Sequence, residues 1–140
     1  MTDGGKRGTQ STSMEPGASR KRLGSAGERL AALHLQRAGY LVRALNYRCQ
    51  TGEIDIVAEE AGDLVFVEVK TRRGVGYGLP EEAITSAKRR KLIAAAQTYL
   101  EAEERSDASW RVDIVAVALT PAGKVQEVRI HRHAISDVEG

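Results

Sequence analysis

Two short segments carry side chains that can do chemistry together. Glu53-Ile54-Asp55 lies shortly before Glu68-Val69-Lys70, and both sit among Val and Ile residues. In an extended chain successive side chains alternate between faces. Glu53 and Asp55 therefore share one face of their strand, and Glu68 and Lys70 share one face of theirs. Ala61-Gly62 is the best turn pair between them. A hairpin through that turn sets Asp55 opposite Glu68 and Glu53 opposite Lys70, with opposed Cβ atoms about 5 Å apart. A slip of one residue would turn one set to the other face.

Two opposed carboxylates in a partly buried site repel one another, and a cation relieves the repulsion. Oxygen ligands without Cys or His favour Mg²⁺ or Mn²⁺. Such an ion keeps several waters, which can attack a phosphodiester, and a neighbouring lysine can serve the water or the developing phosphate charge. The pattern fits metal-assisted phosphodiester hydrolysis. Repulsion also implies that Glu68→Gln stabilises the metal-free protein. Charges alternating with Val and Ile equally describe any half-exposed strand, and spacing alone favours that plainer reading. Against it stands the apolar content of both segments, which suits central strands where solvated carboxylates are out of place.

The elements that must position these groups are legible around them. Ser25 to about Ala38 reads as a helix rich in Ala and Leu, with Gly39 at its C′ position. Leu23, Ala26, Leu30 and Leu33 share one side; Glu28, Ala32 and Leu35 share the other. A helix apolar on both sides is partly buried, so Glu28 points into a cleft. Strands are expected at Tyr40–Tyr47, Glu53–Ala58, Leu64–Thr71, Trp110–Leu119 and Val125–Ile130. A second helix starts at Pro80 or at Thr85-Ser86 and runs through Leu100. Gly74–Gly78 is a glycine-rich loop. The order is α-β-β-β-α-β-β. The third and fourth strands are joined by a helical crossover and should be parallel, the earlier ones antiparallel. This is an α/β fold with a mixed central sheet flanked by helices.

The chain has 140 residues, the size of one domain, with 41% hydrophobic and only 4% aromatic residues. The core must therefore be largely aliphatic. Residues 1–22 hold five basic against two acidic side chains, a net +3. The remainder holds sixteen against seventeen, a net −1. Those first 22 residues carry too little apolar surface to order and read as a disordered basic tail, leaving 23–140 as the domain. No apolar run approaches the roughly 20 residues of a membrane span, and none follows the basic N-terminus as a secretory signal would require. One cysteine, Cys49, rules out an internal disulfide and a cysteine-built metal site. A cytoplasmic location and no membrane partner are expected.

Basic residues in the body form two patches, Arg72-Arg73 and Lys88–Lys91. Arg72 and Arg73 follow the acidic strand where a groove tracking a nucleic-acid backbone would begin. For Lys88, phosphate contact and a solvated helix face are equally open; a solvated face is favoured for Arg89, Arg90 and Lys91. Tyr77 suits a plain surface aromatic better than a base-stacking one. Asp113 suits a structural pairing with Arg111 or a nearby base, and His131 and His133 read as surface residues.

Asp55 followed by Glu68-x-Lys70 resembles the PD-(D/E)XK nuclease signature. Glu28 resembles the extra helical glutamate of archaeal Holliday-junction resolvases. More closely, the chain resembles the YraN family of uncharacterised bacterial proteins, placed in that superfamily. The residues that carry this are Gly27-Glu28, Gly39-Tyr40, Asn46-Tyr47-Arg48, Gly52–Ala58, Val65–Arg72, Gly78-x-Pro80, Lys88, Tyr99-Leu100 and Arg111–Val115. The resemblance implies a restriction-endonuclease-like core and a metal-dependent endonuclease acting on DNA, structured or branched, as a homodimer. It implies Asp55, Glu68 and the Val69 carbonyl as ligands of Mg²⁺ or Mn²⁺, with Glu28 completing the acidic site. Lys70 would serve the attacking water, and Lys88 would be an auxiliary basic residue. The alternative is a module of the same fold that binds nucleic acid or a partner without catalysis.

Overall fold

A computed structural model describes residues 18–74 and 85–136. Residues 1–17, with most of the expected tail, lie outside them. So do Tyr77, Pro80 and all of the glycine-rich loop beyond Gly74. The elements are α1 (Ala18–Arg37), β1 (Leu41–Cys49), β2 (Gly52–Glu60), β3 (Asp63–Arg73), α2 (Ser86–Ala102), β4 (Trp110–Leu119) and β5 (Val125–Ser136). The expected α-β-β-β-α-β-β order is found. Helix α1 begins seven residues before Ser25, so positions 18–22 of the expected tail form its first turn.

The five strands form one sheet in the order β1-β2-β3-β4-β5. β3 and β4 are parallel, and every other neighbouring pair is antiparallel. The β2–β3 hairpin turns at Ala61-Gly62, both at positive φ, and pairs Glu60 with Asp63 through to Ile56 with Val67. That is the register expected from the turn.

Each face of the sheet carries one helix. On one side Leu92, Ala95, Ala96, Tyr99 and Leu100 of α2, at i, i+3, i+4, i+7 and i+8, pack on Ile54, Val57, Leu64, Phe66 and Val112. The few aromatics gather here: Tyr99 meets Tyr47 and Phe66 edge-on at 5.1 and 5.8 Å, and Phe66 meets Trp110 at 5.9 Å. On the other side Ala31 and Leu35 of α1 pack on Ile56, Ala58, Val65, Val67, Val115 and Val117. The buried side of α1 runs through Gly27, Ala31 and Leu35, and Leu33 is left exposed. Gly39 closes the helix at φ +100, and the Tyr40 N–H returns to the Leu35 carbonyl at 2.9 Å.

Alternation breaks in β2 at the candidate site. Ile54 belongs to the α2 layer and Ile56 to the α1 layer, although a regular strand puts i and i+2 on one face. In β1, between the partners of those two residues, stands Asn46 at φ +56. Asn tolerates this left-handed conformation better than most residues. Asp55 therefore stands at a kink that β1 and β2 share.

Candidate metal centre

Three elements converge on that kink. Gly27 of α1 passes so close to β3 that a Cβ placed there would lie 2.6 Å from Thr71 Oγ1. This contact delivers Glu28 to the end of β2. Glu28, Glu53 and Asp55 each offer a carboxylate oxygen within 4.8 Å of the other two, the one such group among the described residues. Glu28 Oε1 is buried and has no hydrogen-bond partner. Burial raises the Glu28 carboxyl above its ordinary value, against hydrogen bonding from Asn46, and the Glu53 charge raises it further.

Asp55 is the most perturbed group of the cluster. Burial, then the Glu68 charge, push its carboxyl up to about 7, against the stabilising Val69 N–H. That N–H donates to Asp55 Oδ2 at 2.8 Å. The β2–β3 ladder ends at Ile56–Val67, so the side chain of Asp55 replaces the strand backbone as the acceptor for Val69.

Glu68 and Lys70 form the other half of the cleft. Glu68 is 5% exposed, and Lys88 Nζ reaches it at 2.6 Å from the first turn of α2. Lys70 Nζ lies 3.4 Å from the same oxygen. Thr85 caps α2, its hydroxyl accepting from the Lys88 N–H at 3.1 Å, which fixes the turn that carries Lys88. Burial lowers the Lys70 ammonium, and the neighbouring Lys88 lowers it further. Burial works against the charge of Lys88 too, but its bond to Glu68 outweighs that and raises it.

The expected residues thus fall into two groups that meet at Asp55. Glu28, Glu53 and Asp55 form an acidic trio, while Glu68, Lys70 and Lys88 form an ion-paired trio. Glu53 stands with Glu28 and with Arg48 at 3.6 Å, not with Lys70, because the kink takes it off the hairpin ladder. Arg72 and Arg73 are exposed at the end of β3. Lys88 was singled out in the sequence, but its grip on Glu68 was not; the preceding Thr85 cap is the only local signal. Asn46 had no chemical signature beyond its tolerance of positive φ.

Asp113 is wholly buried and holds Arg111, as its pairing predicted. It also accepts from the Tyr40 hydroxyl at 2.7 Å and from the His133 N–H at 3.0 Å. Arg111 reaches on to Glu60 at 2.6 Å and Asp63 at 2.9 Å.

The acidic trio fits a hard divalent cation. Its donors are all carboxylate oxygens, one of them buried and unpartnered, and Asp55 holds its proton near neutrality where no cation balances it.

A mixed sheet between two helices, in this order and with an acidic cleft walled by lysines, is an α/β endonuclease-like core. A family model described as "Uncharacterised protein family UPF0102" matches residues 27–117. The chain belongs to this family, the YraN group. A UPF0102 protein of Roseiflexus castenholzii is 51% identical over 112 residues, 79% of this chain and 89% of the relative. One of Symbiobacterium thermophilum is 46% identical over 106 residues, 76% and 90% of the two chains. One of Caldicellulosiruptor saccharolyticus is 36% identical over 115 residues, 82% and 98%.

Proposed function

We propose that this protein is a divalent-metal-dependent nuclease that hydrolyses DNA phosphodiester bonds. The observation that carries the reading is the acidic trio, with oxygens of Glu28, Glu53 and Asp55 within 4.8 Å of one another and Glu28 Oε1 buried without a partner. These three would hold Mg²⁺ or Mn²⁺, with Glu68 and the Val69 carbonyl as further oxygens beside them. When bound, the cation supplies a Lewis acid for the phosphoryl oxygen and acidifies a water.

The remaining roles belong to the chain. Asp55 accepts the Val69 N–H and so holds the Glu68–Val69 peptide in one orientation beside the site. Lys70, shifted toward its neutral amine by burial and by Lys88, takes up in that form a proton from the attacking water at Nζ. Lys88 keeps its charge and faces the negative charge that develops on the phosphate. Arg72 and Arg73 neutralise flanking phosphates. The body beyond the tail is close to neutral, so affinity is modest and salt-sensitive. Structured or branched DNA as substrate and a homodimer cutting both strands are the finer part of the proposal, drawn from the likeness to resolvases, and a cytoplasmic location is proposed with them. No helix among the described residues is long and apolar enough to cross a membrane.

The test is a cleavage screen over single-stranded, flapped, four-way and duplex DNA with Mg²⁺ and Mn²⁺. Cleavage that chelator stops and that Asp55→Asn, Glu68→Gln or Lys70→Ala abolishes supports the reading. DNA binding that survives those changes with no cleavage by the unaltered protein overturns it in favour of a binding module.

A further inference from the structure

One strand residue outside both trios answers to the same centre. Register sets Leu45 of β1 against Ile56 of β2 and Tyr47 against Ile54, so Asn46 stands between them, opposite Asp55. Its backbone is left-handed, at φ +56. The other non-glycine residues at positive φ among the described ones have local reasons for it. Ala61 and Glu104 lie in turns, and His133 lies in the β5 bulge. Asn46 has strand on both sides of it and turns nothing. Backbone of this kind is costly, and it collects at functional sites.

The side chain accounts for the residue type. Asn46 hydrogen-bonds the Glu28 carboxylate. That bond is second only to burial among the influences on the group, and it favours the charged form that burial opposes. The position thus makes two demands. Its backbone conformation is one that Gly, Asn and Asp adopt most readily. Its side chain must offer a donor to a carboxylate, which Gly lacks and an ionised Asp cannot supply. Asn meets both. The contact ties β1 to α1 across the kink: Gly27 lets α1 approach the sheet, and Asn46 catches the side chain that follows. Glu28 Oε1 is still left buried without a partner, in a group whose oxygens converge with those of Glu53 and Asp55. A carboxylate held at one oxygen presents the other in a fixed direction, which is how metal ligands are aimed.

We infer that Asn46 is a positioning residue of the candidate metal centre, its side-chain amide donating to one oxygen of Glu28 and leaving Oε1 aimed at the cation that Glu53 and Asp55 share. This role rests on the trio being a divalent-metal site, and metal binding alone decides it.

The probe is Mn²⁺. The unaltered chain, Asn46→Gly, Glu28→Ala and the double variant are titrated with it, the free ion being counted by its electron paramagnetic resonance signal. Each is also melted in chelator. Asn46→Gly keeps the backbone conformation and loses the donor. It should bind Mn²⁺ about tenfold more weakly, while its melting temperature in chelator is little changed. In the Glu28→Ala chain the same substitution should cost less than about twofold, because the group it aims is gone. Unchanged Mn²⁺ affinity in Asn46→Gly overturns the role. So does an equal loss with and without Glu28, or a loss matched by a large fall in melting temperature in chelator; either assigns Asn46 to the fold alone. An unaltered protein that binds no Mn²⁺ overturns the metal centre and the role of Asn46 with it. Mn²⁺ binding that follows the expected pattern, with no DNA cut, supports the role and overturns only the nuclease reading.

Discussion

At the scale of single residues, charge is unevenly compensated across the cleft. Glu68 is answered by two ammonium groups at close range, whereas Asp55 meets three carboxylates against the Val69 N–H and the charge of Lys88. The sequence pointed to Glu68→Gln as the change that relieves repulsion. The structure moves that relief to Asp55, because Lys88 comes from an element whose reach strand alternation does not encode. Asp55→Asn keeps an oxygen to accept the Val69 N–H and removes the charge. The folded-state carboxyl lies near 7, above its ordinary value of 3.8, so the folded protein holds this proton more tightly than the unfolded chain. Its contribution is full below pH 4 and is lost as pH rises through about 7. Asp55→Asn should therefore stabilise the metal-free protein at pH 8, by on the order of 1–3 kcal/mol, and do little at pH 4. Chemical denaturation in chelator at the two pH values measures this; equal effects at both would contradict it. Glu68→Gln should do the reverse at pH 8 and destabilise by about 1–2 kcal/mol, since it leaves Lys70 and Lys88 facing each other unpaired. The same titrations read it.

Among the elements, the position of α1 depends on the absence of a side chain at Gly27. Gly27→Ala places a methyl group 2.6 Å from Thr71 Oγ1 and 3.8 Å from Thr71 Cβ. The substitution should push α1 off the sheet, carry Glu28 away from Asp55 and weaken Mn²⁺ binding about tenfold or more. Thr71→Ala in the same chain removes the clashing atom and should recover most of that affinity. Calorimetric titration with Mn²⁺ checks both, and a double variant no better than Gly27→Ala would place the fault elsewhere. The sequence made much of this layout readable. Ala61-Gly62 set the hairpin register, Gly39 ended α1, and the long crossover made β3 and β4 parallel, all through local turn chemistry and periodicity. The kink at Asn46 and Asp55 was not readable, because it arises where two strands distort together and periodicity assumes that neither does. The same assumption placed Glu53 opposite Lys70. In α1 the buried stripe Gly27-Ala31-Leu35 was not singled out between two apolar sides, because Gly27 and Ala31 are small residues that hydrophobic patterning underweights.

Across the whole molecule, stability and chemistry occupy different ends of the sheet. The Arg111 network joins the Glu60–Asp63 turn, Tyr40 after α1, Asp113 of β4 and the bulge of β5 at His133. Four donors satisfy Asp113, so the pair is buried without orphaned atoms. Asp113→Ala leaves the Arg111 charge with poorer company and should cost about 3 kcal/mol or more. Cleavage per folded molecule should stay unchanged, because none of these groups lies in the acidic or lysine trio. Urea unfolding alongside activity at low denaturant separates the two effects, and a loss of rate without loss of stability would refute the division. The strand order has a further consequence for synthesis on the ribosome. β3, with the sequence Leu-Val-Phe-Val-Glu-Val, needs β4 as its second neighbour, and β4 is translated only after α2. A nascent chain released at Gly74 would offer that stretch as an open edge, ready to join another copy. Premature termination there yields an aggregating fragment rather than a smaller folded protein.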